Sequence, residues 1–213
     1  HELKTPLSII TANIGVLYAN KDETVNSQIK WLEYISNGAG RMTGLVQSML
    51  TLSRIETENT FLAKAEINIS NALIDAVSSF EAAADSKNIE IKKHVTKDIT
   101  VNSYPALIEQ IIHILIDNAV SYTPSGGIID ITLYREKTEA VLSVQNSGSG
   151  ISEEDLPKVF DRFFRSDTSR KNNGDSYGLG LAIAKSGIDK IGGKIKVESI
   201  KNEKTVFIVK IPV

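Results

Sequence analysis

Cysteine is absent from this chain of 213 residues. Its absence excludes disulfides and thiolate metal sites, and it fits a reducing compartment. Long hydrophobic runs are also missing. None reaches the ~18 residues that a membrane span needs, and no signal-peptide pattern is visible. Nor does charge of one sign dominate: 24 Lys and Arg stand against 26 Asp and Glu, a net charge of −2. Nothing here calls for nucleic acid or an anionic membrane surface as a partner. What remains is an ordinary globular balance, 41% hydrophobic and 23% charged, in a length that suits one or two domains.

The opening heptapeptide, His1-Glu-Leu-Lys-Thr-Pro-Leu7, is the most distinctive stretch. On a helix His1 and Thr5 share a face. Pro6 cannot donate to the carbonyl of Glu2, so the spacing predicts a kink beside the histidine. A neutral imidazole is a nucleophile near pH 7, and Glu2 can take the proton from one ring nitrogen while the other attacks. Taken alone, a histidine at a helix start is usually inert, so the stretch gains meaning only from a partner site elsewhere. A helix carrying His1 would normally begin earlier, so the chain is expected to be part of a longer protein.

Leu7, Ile10, Ile14 and Leu17 repeat at spacings of three and four and predict a helix over Leu3–Tyr18. A polar turn at Asn20–Glu23 precedes a second helix, Thr24–Glu58, about 50 Å long at 1.5 Å per residue. Its stripe runs through Ile29, Leu32, Ile35, Met42, Leu45, Val46, Met49, Leu52 and Ile55. Gly38, Gly40 and Gly44 weaken its middle by roughly 1 kcal/mol each relative to alanine, which predicts some bending. Two helices cannot bury so long a stripe by themselves. A second copy of the hairpin would complete a four-helix bundle, so a homodimer is expected.

Beyond a polar linker at 56–64 the pattern changes. Short strands are predicted over Glu66–Ile69, Ile89–Val95 and Ile99–Asn102, with Ser70 as the N-cap of a helix ending near Ser86. A helix over Tyr104–Tyr122 is followed by a Gly126-Gly127 turn and a strand pair, Ile128–Arg135 and Ala140–Gln145. Residues 146–177 form a long polar stretch of the kind that is usually functional. A helix over Gly178–Ile191 ends at Gly192-Gly193, and Lys194–Ser199 with Lys204–Ile211 closes the chain. Helices and hairpins mixed this way predict an α+β fold. It comprises an N-terminal helical hairpin, residues 1–60, and an α/β two-layer sandwich, residues 65–213.

Four constellations in the second half carry chemistry. Asn118 and Tyr122 continue the apolar line Leu107, Ile111, Leu115. An amide there is either a core group bonded to backbone or a ligand for metal or phosphate. In Val144-Gln-Asn-Ser-Gly-Ser-Gly-Ile151, Gly148 and Gly150 let backbone approach a ligand closely, and Asn146 offers an uncharged acceptor. Phe160-Asp-Arg-Phe-Phe-Arg165 places three aromatics, Phe160, Phe163 and Phe164, to pin a loop. It also places Arg165 to meet an oxyanion, with Arg162 and Arg170 expected in solvent. In Tyr177-Gly-Leu-Gly-Leu-Ala-Ile183, Gly178 and Gly180 open a helix whose free N–H groups suit phosphate.

In this order these stretches resemble the H-box, N-box, G1, F-box and G2 motifs of bacterial two-component sensor histidine kinases, and together they cover nearly the whole chain. The resemblance implies a dimerisation and phosphoacceptor hairpin followed by an ATP-binding domain of the gyrase, MutL and histidine-kinase type. It implies that His1 accepts the γ-phosphoryl of ATP with Glu2 as base, that Thr5 positions water in a phosphatase step, and that Arg165 reaches the γ-phosphate. Asn118 would hold Mg²⁺, and Tyr122 would lie beside the adenine. Asn146, Gly148, Gly150, Phe160, Tyr177, Gly178, Leu179 and Gly180 would complete the nucleotide site. The implied partners are a response-regulator receiver domain and a second copy of the chain. Membrane contact would come only through segments absent here, the chain being the cytoplasmic portion of an inner-membrane sensor. The sequence departs from the family pattern at Ile114, Ser121 and Asn146, where Asn, Lys and Asp are usual. Asp175 and Ser176 stand where glycines are frequent, and Glu203-Lys-Thr-Val-Phe207 replaces a usual Gly-Thr-Thr-Phe. The alternatives are a degenerate kinase acting as a phosphatase or nucleotide-binding module, and a non-kinase ATPase using Glu109, the only Glu on the 104–122 helix.

Overall fold

A computed structural model describes residues 2–57, 63–166 and 177–213. The chain divides into two compact units, His1–Thr51 and Leu52–Val213.

In the first unit, helix α1 spans Lys4–Ala19. Thr24 then caps a short 3₁₀ turn, Val25–Gln28, which leads into helix α2, Ile29–Thr57. Pro6 therefore lies in the first turn of α1, where a backbone N–H has no intrahelical partner to lose. The predicted kink lies beside His1, which is outside the described residues. The Gln28 side chain donates to the Asn20 carbonyl and ties the 3₁₀ turn to the end of α1. The glycines of α2 do not interrupt it. Gly38 has a packing role that propensity alone would miss: a Cβ there would lie 2.8 Å from Ile10 Cγ1 and 3.4 Å from the Pro6 carbonyl oxygen. Only a glycine lets the two helices approach so closely. Apolar side chains remain uncovered on both helices, among them Leu7, Ile14, Ile29, Leu32, Val46 and Met49.

The second unit begins with the end of α2, where Leu52 and Ile55 are buried. Strand β1, Ala65–Asn68, pairs antiparallel with β3, Thr100–Ser103. Between them lie helix α3, Ile69–Ser86, and strand β2, Glu90–Val95. Asn68, not Ser70, caps α3: its side chain accepts from the Asn71 amide at 3.0 Å. The Ser70 hydroxyl is buried, donates to the Thr96 carbonyl at 2.7 Å and accepts from the Ile99 amide at 3.1 Å. The serine is thus spent on a long-range tie between α3 and the approach to β3.

Helix α4, Pro105–Tyr122, starts with proline in its first turn, where the fixed φ suits a helix. Strands β4 (Ile128–Glu136) and β5 (Glu139–Ser147) form one hairpin. Helix α5 spans Gly180–Lys190, and β6 (Lys194–Ile200) with β7 (Lys204–Pro212) forms a second hairpin. The five-stranded sheet has the order β2-β4-β5-β7-β6. The β2–β4 pair is parallel and the rest are antiparallel. Buried residues alternate along β4 and β7: Ile129, Ile131 and Leu133 on one, Thr205, Phe207, Val209 and Ile211 on the other. This period of two gives the sheet one covered face. Helix α4 packs against α3, α5 and β5. Its Ile108, Leu115 and Ile116 are inaccessible to solvent, as are Ile131, Leu142 and Val209 of the sheet. Burying each such side chain contributes about 1.5–3 kcal/mol. The expected two-layer α/β sandwich after a helical hairpin is the fold observed.

Candidate functional site

The last turn of α4, the end of β5 and the start of α5 converge on one cavity of ≈490 Å³ in the second unit. That size suits a drug-sized or nucleotide-sized ligand. Asn118, Ser121 and Tyr122 project from α4 into it. The stripe of α4 that buries Leu107, Ile111 and Leu115 continues into Asn118 and Tyr122, which meet the cavity as the core ends. Phe207 and Val159, both buried, form part of the apolar lining.

Asn146 lies on β5 opposite Thr205 of β7 and is only 5% exposed. Its Nδ2 donates to the Ser147 carbonyl at 3.1 Å. That bond turns the amide oxygen into the group left to accept from a ligand. The following loop brings Gly148 and Gly150 to the cavity. This loop is fastened to the β6–β7 turn. The Gly148 amide donates to the Glu203 carbonyl at 3.1 Å and the Asn202 amide to the Ser149 carbonyl at 2.7 Å. The Ile151 amide donates to Ser199 Oγ at 2.8 Å. Gly150 has φ +63°, and a Cβ there would clash with the Ile200 carbonyl oxygen and lie 2.9 Å from Lys201 Cα.

A smaller recess of ≈110 Å³ adjoins the cavity. Gly178, Gly180 and Leu181 at the start of α5 line it, across from Ile114, Asp117 and Asn118. Among the described residues no side chain caps the α5 N-terminus, and free amides at a helix start suit an anion. Gly178 has φ +69°, and a Cβ there would stand 2.6 Å from the Phe164 carbonyl oxygen. The Phe163 amide donates to the Gly178 carbonyl at 2.9 Å. The glycine is thus required by the passing chain at 163–164 as well as by any ligand. Arg165 lines both cavity and recess. Partial burial pushes the Asp117 carboxyl above its ordinary range, against the opposing charges of His113 and Lys87.

Of the expected site residues in the second unit, Asn118, Tyr122, Asn146, Gly148, Gly150, Arg165, Gly178 and Gly180 are brought to this cavity and recess. Three are not among its lining. Leu179 is buried just before α5, which begins at Gly180, two residues later than the glycine pattern suggested, and Leu181 in its first turn lines the cavity instead. Phe160 stacks edge-on against Phe207, ring centroids 6.3 Å apart, and so supports the wall from behind. Tyr177 is half-buried outside the lining. Of the three aromatics expected to pin the loop, Phe164 lines the cavity while Phe163 stays 39% exposed in the left-handed region. Arg162 is not simply solvated, as it pairs with Glu56. His1 and Arg170 lie outside the described residues, while Glu2 and Thr5 are exposed at the start of the first unit. Glu109 is exposed and lines neither cavity nor recess.

Lys87 is a cavity residue that sequence reasoning passed over. It follows α3 as its C-cap, and its Nζ donates to the Val120 carbonyl at 2.9 Å and the Ser121 carbonyl at 3.4 Å. The only sequence signal was a lysine at the end of a predicted helix, which does not say what it reaches.

Residues 103–213 match the family described as histidine kinase-, DNA gyrase B-, and HSP90-like ATPase, and residues 1–58 match the His Kinase A (phospho-acceptor) domain. The sensor-like histidine kinase SenX3 of Mycobacterium tuberculosis is 28% identical over 212 residues, which are 100% of this chain and 52% of that protein. The sensor protein CiaH of Streptococcus pneumoniae is 31% identical over 217 residues, covering 100% of this chain and 48% of its own length. The chain thus spans about half the length of these two relatives. Among solved structures, histidine kinase ThkA in complex with response regulator protein TrrA superposes with a TM-score of 0.79 at 28% identity. That match covers 100% of this chain and 59% of the other.

Proposed function

Since this chain belongs to the histidine kinase-, DNA gyrase B- and HSP90-like ATPases, and within them to the two-component sensor histidine kinases, we propose that it uses ATP to phosphorylate His1. The phosphoryl group would then pass to an aspartate of a response regulator. The division we propose is a phosphoacceptor and dimerisation hairpin over 1–60 and a catalytic ATP-binding domain over 65–213, supported by matches over residues 1–58 and 103–213. One observation carries the reading. Asn118, Asn146 and the two glycine pairs, far apart in sequence, meet at a cavity and its adjoining recess in a chain whose residues 1–58 match a phosphoacceptor domain.

The residues present fit a magnesium nucleotide. Among the described residues no three His, Cys, Asp or Glu side chains cluster to hold a metal. A divalent ion here would therefore be held through phosphate, water and few protein oxygens, which is how magnesium is usually held. Asn118 would supply one such oxygen. The ion would neutralise phosphate charge. The Asn146 amide oxygen accepts from the purine amino group, and Tyr122 flanks the base. Arg165 and the α5 amides take the phosphate end. Attack by an imidazole nitrogen of His1 forms the N–P bond as the bond to the ADP oxygen breaks, and Glu2 takes the proton from the other ring nitrogen. Catalysis of this kind is mostly positioning and charge stabilisation. Thr5, one turn on from His1, orients water for the opposing phosphatase step, in which hydrolysis of the regulator's aspartyl phosphate releases inorganic phosphate. The uncovered apolar residues of α1 and α2 meet those of a second copy in a four-helix bundle.

Glu109 stands away from the cavity, which disfavours water activation by a carboxylate on α4 and with it a non-kinase ATPase cycle. Incubation with γ-labelled ATP tests the proposal. We expect acid-labile, base-stable label on the wild type and none on His1→Gln, with nucleotide binding intact in both. Undiminished label on the variant would refute His1 as acceptor, and free phosphate without protein-bound label would favour the ATPase reading.

A further inference from the structure

We propose that Lys87, from the end of α3, is a nucleotide-anchoring residue whose ammonium binds the phosphate chain across the last turn of α4; this rests on reading the cavity as the ATP site. Lys87 is far in sequence from every glycine and asparagine of that site, yet its side chain forms part of the cavity wall with Ser121 and Tyr122. Its Nζ is fixed there by the Val120 carbonyl at 2.9 Å and, more weakly, the Ser121 carbonyl at 3.4 Å. An ammonium has three donors, so one N–H remains for a ligand. The side chain is half-buried, and its backbone is itself held: its carbonyl accepts from the Gly126 amide at 2.9 Å and from Ser125 Oγ at 2.8 Å. The charge is therefore presented from a braced position and not from a free surface arm.

The electrostatics of the cavity favour the same role. A nucleoside triphosphate brings several negative charges into a wall whose described cations are Lys87 and Arg165. Lys87 shares the cavity wall with Asn118 and Arg165, the two residues read above as holding the metal and the phosphate end. A purely structural alternative is that Lys87 only caps the negative end of the α4 dipole.

The two roles separate on ligands that share a base and differ in charge. Calorimetric titration of the full chain with magnesium ADP and with adenosine should be run for the wild type and for Lys87→Met, Lys87→Gln and Lys87→Arg, with melting curves for each. We expect Lys87→Met to weaken ADP roughly tenfold while adenosine stays within about twofold. Lys87→Arg, which keeps the charge, should retain ADP within about threefold. Lys87→Gln keeps N–H donors for the α4 carbonyls but no charge, so it should show the same roughly tenfold loss of ADP alone and supplies the test if Lys87→Met fails to fold. Equal loss of ADP and adenosine, or no loss of ADP in Lys87→Gln, would overturn the proposal in favour of capping alone. A wild type that binds neither ligand would sink the nucleotide reading itself, a result distinct from either variant outcome.

Discussion

The Gly148–Gly150 loop can be probed by adding a single methyl group. Gly150→Ala carries two costs. The residue sits at φ +63°, where an L side chain loses roughly 1–2 kcal/mol. The new Cβ would also collide with the Ile200 carbonyl and lie 2.9 Å from Lys201 Cα. Both are backbone atoms of the β6–β7 hairpin and cannot rotate aside. Relief has to come from parting the loop from the hairpin, which loosens the Asn202-to-Ser149 and Ile151-to-Ser199 hydrogen bonds. At about 1 kcal/mol each, the total reaches about 3–4 kcal/mol. Gly126→Ala is the matched control. It has φ +75° with nothing within 4 Å of its Cβ, so it should cost only about 1–2 kcal/mol. Urea unfolding followed by circular dichroism gives both differences, and ADP titration shows whether the loop was displaced. We expect Gly150→Ala to lose stability and ADP affinity together, and Gly126→Ala to lose only a little stability. If the two variants unfold within 0.5 kcal/mol of each other, the steric half of the reasoning is wrong.

Other expectations follow the same logic. In α2, Gly40→Ala meets nothing within 4 Å and should stabilise by about 0.5–1 kcal/mol, whereas Gly38→Ala, facing Ile10 Cγ1 at 2.8 Å, should destabilise; a thermal melt that stabilises both would remove the close helix approach. Asn146→Ala should weaken ADP and adenosine alike, by about 1 kcal/mol or roughly fivefold, because the contact is with the base; a loss confined to ADP would contradict that. Burial raises the Asp117 pKa in the folded chain, so the folded state holds this proton more tightly than the unfolded one. Stability from this group is then full below the ordinary carboxylate pKa and falls as pH rises through the raised value. Asp117→Asn should flatten that fall in urea titrations run at several pH values, and an unchanged pH profile would argue against the shift.

How far sequence alone reached depended on the range of the interaction. Periodicity located most helices and strands within a residue or two, because the stripe Leu107–Ile111–Leu115 and the alternation of β4 and β7 are local consequences of burying one face; the exception is α2, expected from Thr24 but begun at Ile29 after a 3₁₀ turn. Asn118, Asn146 and the glycine pairs were legible as chemistry because amides on apolar stripes and paired glycines are costly unless used. Long-range ties were not legible. Ser70 and Asn68 are equally able to cap a helix, and only the fold shows that Ser70 serves Thr96 and Ile99. Lys87 gave no hint of its reach to Val120. The choice of Leu181 over Leu179 turned on where α5 starts, two residues later than the glycine pattern suggested.

The turn between β6 and β7 looks, by exposure, like a place to splice in a tag. Asn202 and Glu203 are exposed there, yet their backbones hold the Gly148–Ser149 segment from outside. Lengthening that turn would draw away the template on which the ligand-facing loop is shaped. Insertions tolerated at most loop tips should here register as lost nucleotide affinity in an otherwise folded protein.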